Sequence, residues 1–272
     1  MTASSKAPRP LALVTGASAG IGAAFARAYA ARGYDLALVA RRAERLEALA
    51  RELSAAHGVE AFAIAQDLGA WEACGAVLAA VAARGRHVDA LVNNAGFSIA
   101  QSFTAVPWSR QRDFLMTLVV NACGLAHGAI PGMVERGRGE IVNVSSLTAF
   151  APGVAGHSLY PGAKSLALKW SQSLAAELDG TGVRVTCVCP GFTLTEFAEA
   201  NGTKTVMDQA PRRFFQTPEQ VVEATFGALE RGKVVIVPGW HNRAAVAMLK
   251  LVPESLLLPA LRRGSARYHL EA

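Results

Sequence analysis

An apolar run that passes through a glycine-rich turn into an alanine-rich segment constrains the fold of this chain most. Residues 10–15 read Pro-Leu-Ala-Leu-Val-Thr, and a turn with three glycines and the segment 23–29 follow, an order that predicts strand, turn and helix. Glycines let the backbone approach a pyrophosphate closely, and the free amides and dipole of a new helix attract its charge. We therefore predict a dinucleotide site, against the alternative of a glycine loop without a ligand. The predicted contacts are Gly16, Ser18, Ala19, Gly20, Ile21 and Gly22.

Apolar runs of β type recur along the chain, with helical patterns between them. They cover residues 35–40, 60–65, 89–93, 140–145, 183–188 and 233–237. This alternation predicts βαβ units and a Rossmann-like α/β fold, in which a doubly wound parallel sheet lies between two helical layers. The length of 272 residues and the apolar content of 51% suit one compact domain. Ligands of such folds bind outside the carboxyl ends of the strands.

Composition and charge argue against several classes of function. The net charge of +6 comes from scattered basic residues without interleaved aromatic residues, so we expect no nucleic-acid partner. The four cysteines show neither a disulfide framework nor metal spacing, and the six histidines do not converge in sequence, so we expect no metal site. Cys187 and Cys189 are expected to be buried apolar fillers. The chain opens without a charged-plus-apolar signal, and we expect a cytoplasmic protein.

The second predicted strand ends in Ala40, and Arg41 and Arg42 follow. A dinucleotide fold that prefers NAD usually has an acidic side chain at this place for the ribose hydroxyls. A guanidinium group instead pairs well with a 2′-phosphate, so the sequence favours NADP(H), with Arg41 as the better contact. In the alternative, the two arginines only form a solvated helix start.

Tyr160 and Lys164 lie four residues apart and so share one face of a predicted helix. A phenol ordinarily ionises near pH ~10, and a neighbouring ammonium favours the phenolate. We expect Lys164 to lower the pKa of Tyr160 so that the tyrosine can move protons near neutrality.

The order of the motifs from about residue 10 to 240 resembles the short-chain dehydrogenase/reductase family. The motifs are residues 15–22, Asp67-Leu68, the Asn-Asn-Ala-Gly of residues 93–96, Asn121, Ser146, Tyr160 with Lys164, and Pro190-Gly191. The resemblance implies reversible hydride transfer between a nicotinamide and a carbonyl or alcohol carbon. It also implies further coenzyme contacts at Asp67, Leu68, Asn93, Ala95, Gly96, Tyr160, Lys164, Pro190, Gly191, Thr193 and Thr195.

The resemblance also assigns catalytic roles. Tyr160 is the acid or base, Ser146 orients the substrate, Lys164 binds the nicotinamide ribose, and Asn121 holds a water in a proton relay to the lysine. Ser145 is the structural neighbour in the serine pair. In the family the serine usually precedes the tyrosine by thirteen residues, whereas fourteen separate them here.

Two details around the tyrosine depart from the usual pattern. The Pro- and Gly-containing loop of residues 150–158 can absorb the extra residue. Pro161 directly follows Tyr160, which a helix tolerates only in its first turn, and Ser158 is a candidate cap for that turn.

The substrate, the direction of the reaction and the oligomeric state are predicted from the resemblance and the arginines. Together they favour the reduction of a lipophilic ketone or aldehyde by NADPH. The resemblance also implies a homodimer or homotetramer. Candidate pocket residues are Phe192, Phe197, Phe214, Phe215 and Trp240, although packing in the core or the lid explains these aromatic residues equally well. His157 is a further candidate for substrate contact, against the alternative of an exposed loop histidine. A non-catalytic NADP-binding redox sensor or scaffold protein is the alternative function. The intact Tyr160–Lys164 pair argues against it, and the glycine spacing argues against a sugar-nucleotide epimerase or dehydratase.

The expected organisation has three parts. Residues 1–9 form a mobile lead-in, residues 10–240 form the NADP-binding catalytic domain with a substrate lid at about 193–215, and residues 241–272 form an apolar helical extension. Charged and proline residues interrupt the apolar segment 234–261, so it cannot be an uninterrupted membrane span. Three positions remain open for the extension: over the cleft, in a subunit contact, or on a membrane surface.

Overall fold

Seven short strands, each followed by a helix or a turn, run along the chain. The computed structural model describes residues 8–153, 155–156, 159–197, 201, 211–253 and 255–259. The strands are β1 Leu11–Thr15, β2 Asp35–Ala40, β3 Ala61–Ala65, β4 Ala90–Asn93, β5 Gly139–Val144, β6 Val183–Val188 and β7 Val235–Ile236. All ladders are parallel, and the order in the sheet is β3-β2-β1-β4-β5-β6-β7.

Helices connect the strands. They are α1 Gly20–Ala31, α2 Ala43–His57, α3 Ala73–Ala82, α4 Trp108–Leu115, α5 Asn121–Glu135, α6 Tyr160–Glu177, α7 Pro218–Glu230 and α8 Trp240–Leu251. A π-helical turn, Met116–Val120, joins α4 to α5, and 3₁₀ turns lie at Phe103–Ala105, Leu147–Phe150 and Arg212–Phe214.

The sheet is covered on both faces, which makes a three-layer Rossmann-like α/β fold. One core cluster packs α1, α2 and α7 against one face of the sheet, and the other packs α3, α5 and α6 against the opposite face. Because both faces are covered, β1 is buried throughout and reads as a continuous apolar run. The prediction of a doubly wound parallel sheet is confirmed.

The predicted strand positions hold to within one or two residues. The differences lie at the ends: β3 and β4 begin one residue later than predicted, β5 is displaced by one residue, and β7 is limited to two residues. β7 is short because, as an edge strand, it pairs with β6 only at Val235 and Ile236. Hydrogen-bond partners on neighbouring strands, which a local pattern does not specify, set such limits.

The continuous helical segment Trp108–Glu135 is long and apolar enough to span a membrane by length and composition alone. Core helices meet the same criteria. Leu125, Ala126 and Met133 of this segment are fully buried in the cluster against the sheet, so this part of the segment is used as a core helix.

The order of the strands places a crevice at the carboxyl ends of β1 and β4. The chain runs outward from β1 to β2 and β3 and then returns to β4 on the other side of β1. The connections on either side of this reversal diverge, which leaves space for a ligand outside the strand ends. Thr15 and Asn93 end the two strands there.

The first turn of α1 packs so closely on the turn before it that only glycine fits at position 22. A Cβ at Gly22 would lie 2.3 Å from the Gly16 carbonyl oxygen and 2.5 Å from Asn94 Nδ2. We expect Gly22→Ala to lower the free energy of unfolding by about 1–3 kcal/mol, because backbone atoms must move. Urea unfolding followed by circular dichroism measures this change.

Gly75→Ala in α3 is the matched control, because a Cβ there meets nothing within 4 Å. Alanine is the better helix former, so this variant should gain up to about 1 kcal/mol. Equal stabilities for the two variants would contradict the close approach at Gly22.

Candidate active site

The turn between β1 and α1 leaves the first amides of α1 without a side-chain cap. The N-cap residue is Ala19, whose methyl group cannot accept a hydrogen bond, and the first turn has no acidic residue. Gly16 and Gly20 have φ angles of +65° and +55°, a conformation that favours glycine. The turn therefore offers backbone donors and the positive end of a helix dipole, which suit the pyrophosphate of a dinucleotide.

Thr15 and Asn94 hold this turn against the end of β4. Thr15 Oγ1 donates to the Val92 carbonyl at 3.0 Å and accepts from the amides of Asn94 and Ala95 at 2.9 and 3.0 Å. Asn94 Nδ2 donates to the carbonyls of Thr15 and Gly16 at 2.9 and 3.4 Å. The hydrogen bonds fix the glycine turn relative to the crevice.

Arginines surround the far side of the glycine turn. Arg42 Nη2 donates to Ser18 Oγ at 3.0 Å, and Arg41 beside it is exposed. Arg42 and Arg45 form ion pairs with Glu196 at 3.2 and 2.8 Å. Hydrogen bonds from Arg45 and then Arg42 hold the pKa of the Glu196 carboxyl below its usual range. The donor set fits a 2′-phosphate, which pairs with guanidinium groups and hydroxyls.

The other positions assigned to the coenzyme follow β3 and β4. Asp67 is exposed, with Oδ1 accepting from the Gly69 amide at 2.9 Å, and Leu68 is buried beside it. Asn93 is buried, and its Nδ2 donates to Asn143 Oδ1 at 3.0 Å. The Asn93 side chain therefore supports the strand ends from inside the protein.

Gly96 lies where the turn after β4 meets the π-helical turn. A Cβ at Gly96 would lie 3.3 Å from Leu118 Cγ, so glycine keeps this border of the crevice narrow.

Tyr160 begins α6, and Lys164 lies one turn later on the same helix. Ser146 caps the 3₁₀ turn after β5 by accepting from the Thr148 amide at 3.2 Å, and its side chain also hydrogen-bonds Tyr160. The spacing of fourteen residues thus still brings the serine to the tyrosine. Pro161 lies in the first turn of α6, as the sequence predicts. The N-cap is Leu159, without a side-chain cap bond, rather than Ser158.

The electrostatics of the pair differ from the expectation. Burial raises the pKa of Tyr160 to about 12, against a smaller lowering by the hydrogen bond to Ser146. Burial also lowers the pKa of Lys164 to about 8. The Lys164 ammonium donates to the Val144 carbonyl at 2.9 Å and lies 5.6 Å from the centre of the Tyr160 ring. The prediction that Lys164 brings the Tyr160 pKa near neutrality is therefore wrong for the protein by itself, because desolvation outweighs the charge.

The Asn121 side chain makes three hydrogen bonds to the segment before and at the start of α3. Its Nδ2 donates to the carbonyls of Leu68 and Ala70 at 2.8 and 2.9 Å, and its Oδ1 accepts from the Cys74 amide at 2.9 Å. These bonds tie the start of α5 to the segment between β3 and α3. The side chain thus anchors the helix, and the relay role assigned to Asn121 stays a prediction.

Lys164 borders a cavity, open to solvent, between the strand ends and the helices α5 and α6. From the region around Asn121 the lining residues are Thr117, Leu118, Ala122 and Cys123, and Asn121 itself is not one of them. The buried Asn93 Oδ1 of this cavity has no hydrogen-bond partner among the described residues.

Aromatic rings flank the tyrosine. The ring centres of Phe114 and Phe197 lie 6.4 and 6.3 Å from that of Tyr160, and Phe97 packs on Phe114 at 5.5 Å. A cleft that is open to solvent lies beside Phe114 and Tyr160. Its lining residues are Ile99, Gln101, Gln111, Phe114, Leu159 and Tyr160. The reacting end of the site is thus mostly apolar, with two side-chain amides.

The chain after β6 returns across the glycine turn. A Cβ at Gly20 would lie 2.9 Å from Thr195 Cγ2, and Thr193 is buried with its Oγ1 donating to the Gly191 carbonyl at 3.1 Å. The Pro190 carbonyl accepts from the Leu147 amide at 2.9 Å, which joins this segment to the turn after Ser146.

Helix α8 packs behind this segment. A Cβ at Gly191 would lie 2.4 Å from Asn242 Oδ1, and Asn242 Nδ2 donates to Gln216 Oε1 at 2.9 Å. The start of the apolar extension thus borders the site.

Several aromatic candidates lie away from Tyr160. Phe192 and Phe215 stack at 5.4 Å, Phe214 contacts His241, and Trp240 is largely exposed. His157, Ser158 and most of the segment 198–210 lie outside the described residues. Within the described part of the chain, no group of three or more His, Cys, Asp or Glu residues is placed to hold a metal ion.

A family model described as short chain dehydrogenase matches residues 10–205, which include the glycine turn, Ser146, Tyr160 and Lys164. The chain belongs to the short-chain dehydrogenase/reductase family. It is 35% identical over 252 residues to an uncharacterized oxidoreductase of Myxococcus xanthus, a match that covers 93% of this chain and 96% of the relative.

Solved structures of the family have the same fold. A short-chain dehydrogenase from Sphingobium yanoikuyae in complex with NADPH is similar with a TM-score of 0.77 and 31% identity, over 90% of this chain and 97% of that chain. A structure from a study of 7β-hydroxysteroid dehydrogenase stereoselectivity is similar with a TM-score of 0.83 and 27% identity, over 93% and 96% of the two chains. The protein is thus an oxidoreductase of this family.

Some residues that shape this short-chain dehydrogenase/reductase site were not predicted. Arg45 and Glu196 form ion pairs around the glycine turn, and Phe97 and Phe114 build the wall beside Tyr160. A signal existed for Arg45, which follows Arg41 by one helical turn. The contact of Glu196 with the arginines depends on the path of the chain after β6, and no local pattern indicates it.

We expect Asn121→Ala to lower the free energy of unfolding by about 2–4 kcal/mol, because two carbonyls and one amide lose their partner. In folded enzyme the pH profile of turnover should stay that of the unmodified protein. Denaturant unfolding and steady-state assays across pH measure the two effects. Preserved stability together with a displaced pH profile would instead support the relay role.

Burial of the Lys164 ammonium should lower the free energy of unfolding. A fall of the pKa from 10.5 to about 8 corresponds to a cost of at most about 3–4 kcal/mol. Below pH 8 the lysine is charged in both states and the cost is complete. As pH rises from 8 to 10.5 the folded state has already lost the proton, the unfolded state still binds it, and the cost disappears.

Lys164→Met should therefore be more stable than the unmodified protein at pH 7, and the difference should vanish towards pH 10.5. Unfolding in urea at several pH values measures it. Lys169→Met, at an exposed position of the same helix, is the control and should change stability by less than about 0.5 kcal/mol. A destabilised Lys164→Met at pH 7 would contradict the assignment.

Proposed function

We propose that this protein reduces a lipophilic ketone or aldehyde with NADPH and that Tyr160 is the acid. The observation that supports it most is the hydroxyl of the half-buried Tyr160, which shares a hydrogen bond with Ser146 between the rings of Phe114 and Phe197. This group lies at the crevice that the anion-binding glycine turn also borders. Two hydroxyls, an apolar wall and a nucleotide cradle are the parts that carbonyl reduction needs.

The hydroxyls of Ser146 and Tyr160 would donate to the carbonyl oxygen of the substrate. That oxygen becomes negative as the reaction proceeds, so donors held in place by the protein stabilise the transition state more than the bound substrate. Bound NADPH supplies the hydride. Tyr160 then gives its proton to the oxygen and yields the alcohol.

The raised pKa of Tyr160 favours reduction over oxidation. At neutral pH the phenol is protonated, which is the form that donates a proton. An alkoxide is more basic than a phenolate, so the transfer is downhill even from a weak acid. Oxidation of an alcohol would require the phenolate, which becomes more abundant only as pH rises.

Lys164 would act through its charge. At pH 7 the Lys164 side chain is mostly in the ammonium form and donates to the Val144 carbonyl. Its other N–H donors would hold a ribose hydroxyl at the crevice. The positive charge would also stabilise the phenolate that Tyr160 becomes after proton transfer.

The preference for NADPH is supported by Arg42, Ser18 and the exposed Arg41 at the end of β2, and by the NADPH complex of the Sphingobium relative. A lipophilic substrate is supported by the rings around Tyr160 and by Ile99 and Leu159 in the adjoining cleft. Homo-oligomeric assembly stays a prediction.

Purified protein with NADPH, and separately with NADH, should be tested against a panel of aliphatic, aromatic and steroid-sized carbonyl compounds by loss of nucleotide absorbance. We expect turnover with NADPH and preference for the bulkier apolar compounds. Tyr160→Phe should reduce turnover by about 10²–10⁴-fold with little loss of NADPH affinity, because it removes only the proton donor. Oxidation of the product alcohol should accelerate with pH.

Ser165→Ala is the matched control, because this hydroxyl lies on the same helix but donates to the Ala149 carbonyl. It should leave turnover within a few fold. Tight NADPH binding without turnover over the whole panel would overturn the reductase proposal in favour of a redox sensor. If Tyr160→Phe and the unmodified protein turn over the substrate equally fast, Tyr160 is not the proton donor.

A further inference from the structure

Glu196 places a carboxylate beside the arginines that face the 2′-phosphate position. Both Oε atoms lie within 2.9 Å of Arg45 Nη1, and Oε2 lies 3.2 Å from Arg42 Nη1. The other terminal nitrogen of Arg42 donates to Ser18 Oγ in the glycine turn. One guanidinium group thus bridges the glycine turn and a glutamate that lies 154 residues further along the chain.

The neighbours of Glu196 touch both halves of the site. Thr195 lies against Gly20 at the start of α1, and Phe197 packs on the Tyr160 ring. Thr195 Oγ1 also accepts from the Phe197 amide at 3.3 Å, which links the two residues. We call residues 193–197 the lid base. Its single carboxylate therefore links the arginines to a segment that contacts the catalytic tyrosine.

Resting on the proposed use of NADPH, we propose that Glu196 is a positioning residue that senses the 2′-phosphate. Its carboxylate holds the lid base to Arg42 and Arg45 until the 2′-phosphate of the nucleotide forms ion pairs with these guanidinium groups. The lid base is then released from the arginines.

Charge decides this exchange. A phosphate monoester carries a charge of about −1.5 to −2 at pH 7, against −1 for the glutamate, so it is the stronger partner for the arginines. A phosphate between Ser18 and Arg42 would also lie close to the carboxylate and repel it. The side chains of Arg42, Arg45 and Glu196 are 45%, 49% and 52% exposed, so the exchange is modest and depends on salt.

The same exchange couples the coenzyme to the substrate wall. A ligand that displaces Glu196 changes the position of the lid base, and by linkage the lid base changes the affinity for that ligand. NADH, which lacks the 2′-phosphate, leaves the ion pairs in place. Glu196 therefore adds a cost to the binding of nucleotides whose 2′-phosphate must displace it and leaves the binding of NADH unaffected.

Isothermal titration of Glu196→Gln with NADPH and NADH tests the proposal. We expect about two- to fivefold tighter NADPH binding than in the unmodified protein, because no carboxylate competes for the arginines, and unchanged NADH binding. The gain should shrink in 1 M salt, where the screening length is about 3 Å. Glu44→Gln in the first turn of α2 removes an equal charge near the same arginines and is the control.

Hydrogen exchange of the lid base gives a readout that does not depend on activity. In the unmodified protein, 2′,5′-ADP should accelerate exchange in residues 193–197, whereas 5′-AMP should not. In Glu196→Gln the exchange should already be fast and 2′,5′-ADP should not raise it further.

The outcomes separate the two proposals. If the unmodified protein binds NADPH no better than NADH, the proposed NADPH preference fails and the sensor fails with it. If NADPH is preferred but Glu196→Gln matches the unmodified protein, or Glu44→Gln shows the same gain, only the sensor fails. An unchanged exchange rate in Glu196→Gln would also overturn it.

Discussion

The close approach of the β1–α1 turn to the end of β4 is the constraint on which the rest of the site depends. Gly22 lies against the Gly16 carbonyl, and Thr15 and Asn94 lock the turn by four hydrogen bonds between them and the Gly16 and Val92 carbonyls. The start of α1 is thereby directed into the crevice between the diverging connections. The position of the anion cradle follows from this packing.

The reacting pair is placed in a region that opposes its ionised forms. Lys164 is buried and Tyr160 is half-buried beside aromatic groups, and desolvation shifts the pKa of each group in the direction that favours its neutral form. A buried lysine lowers stability, yet the proposed reaction uses its donors and its charge. This conflict between stability and function is common at active sites.

The ion pairs at the rim of the site differ from the Tyr160–Lys164 pair in their exposure to solvent. The arginines near the glycine turn and Glu196 are about half exposed, so their ion pairs are weak, screened and easily exchanged. Exchangeable pairs suit a surface that must release one anion to accept another. Under the proposal, the exposed ion pairs respond to the nucleotide that binds, whereas Tyr160 and Lys164 keep their positions.

The sequence by itself determined the sheet, the glycine turn and the Tyr160–Lys164 spacing, because local periodicity and glycine placement dictate backbone conformation and burial. Strand ends, the partners of Asn121, the ring of Phe114 beside Tyr160 and the pairing of Glu196 with arginines 151 and 154 residues away were decided only by the tertiary structure. Such contacts join segments that are distant along the chain. The direction of the Tyr160 pKa likewise depends on burial by the assembled fold, which outweighs the neighbouring charge that the sequence shows.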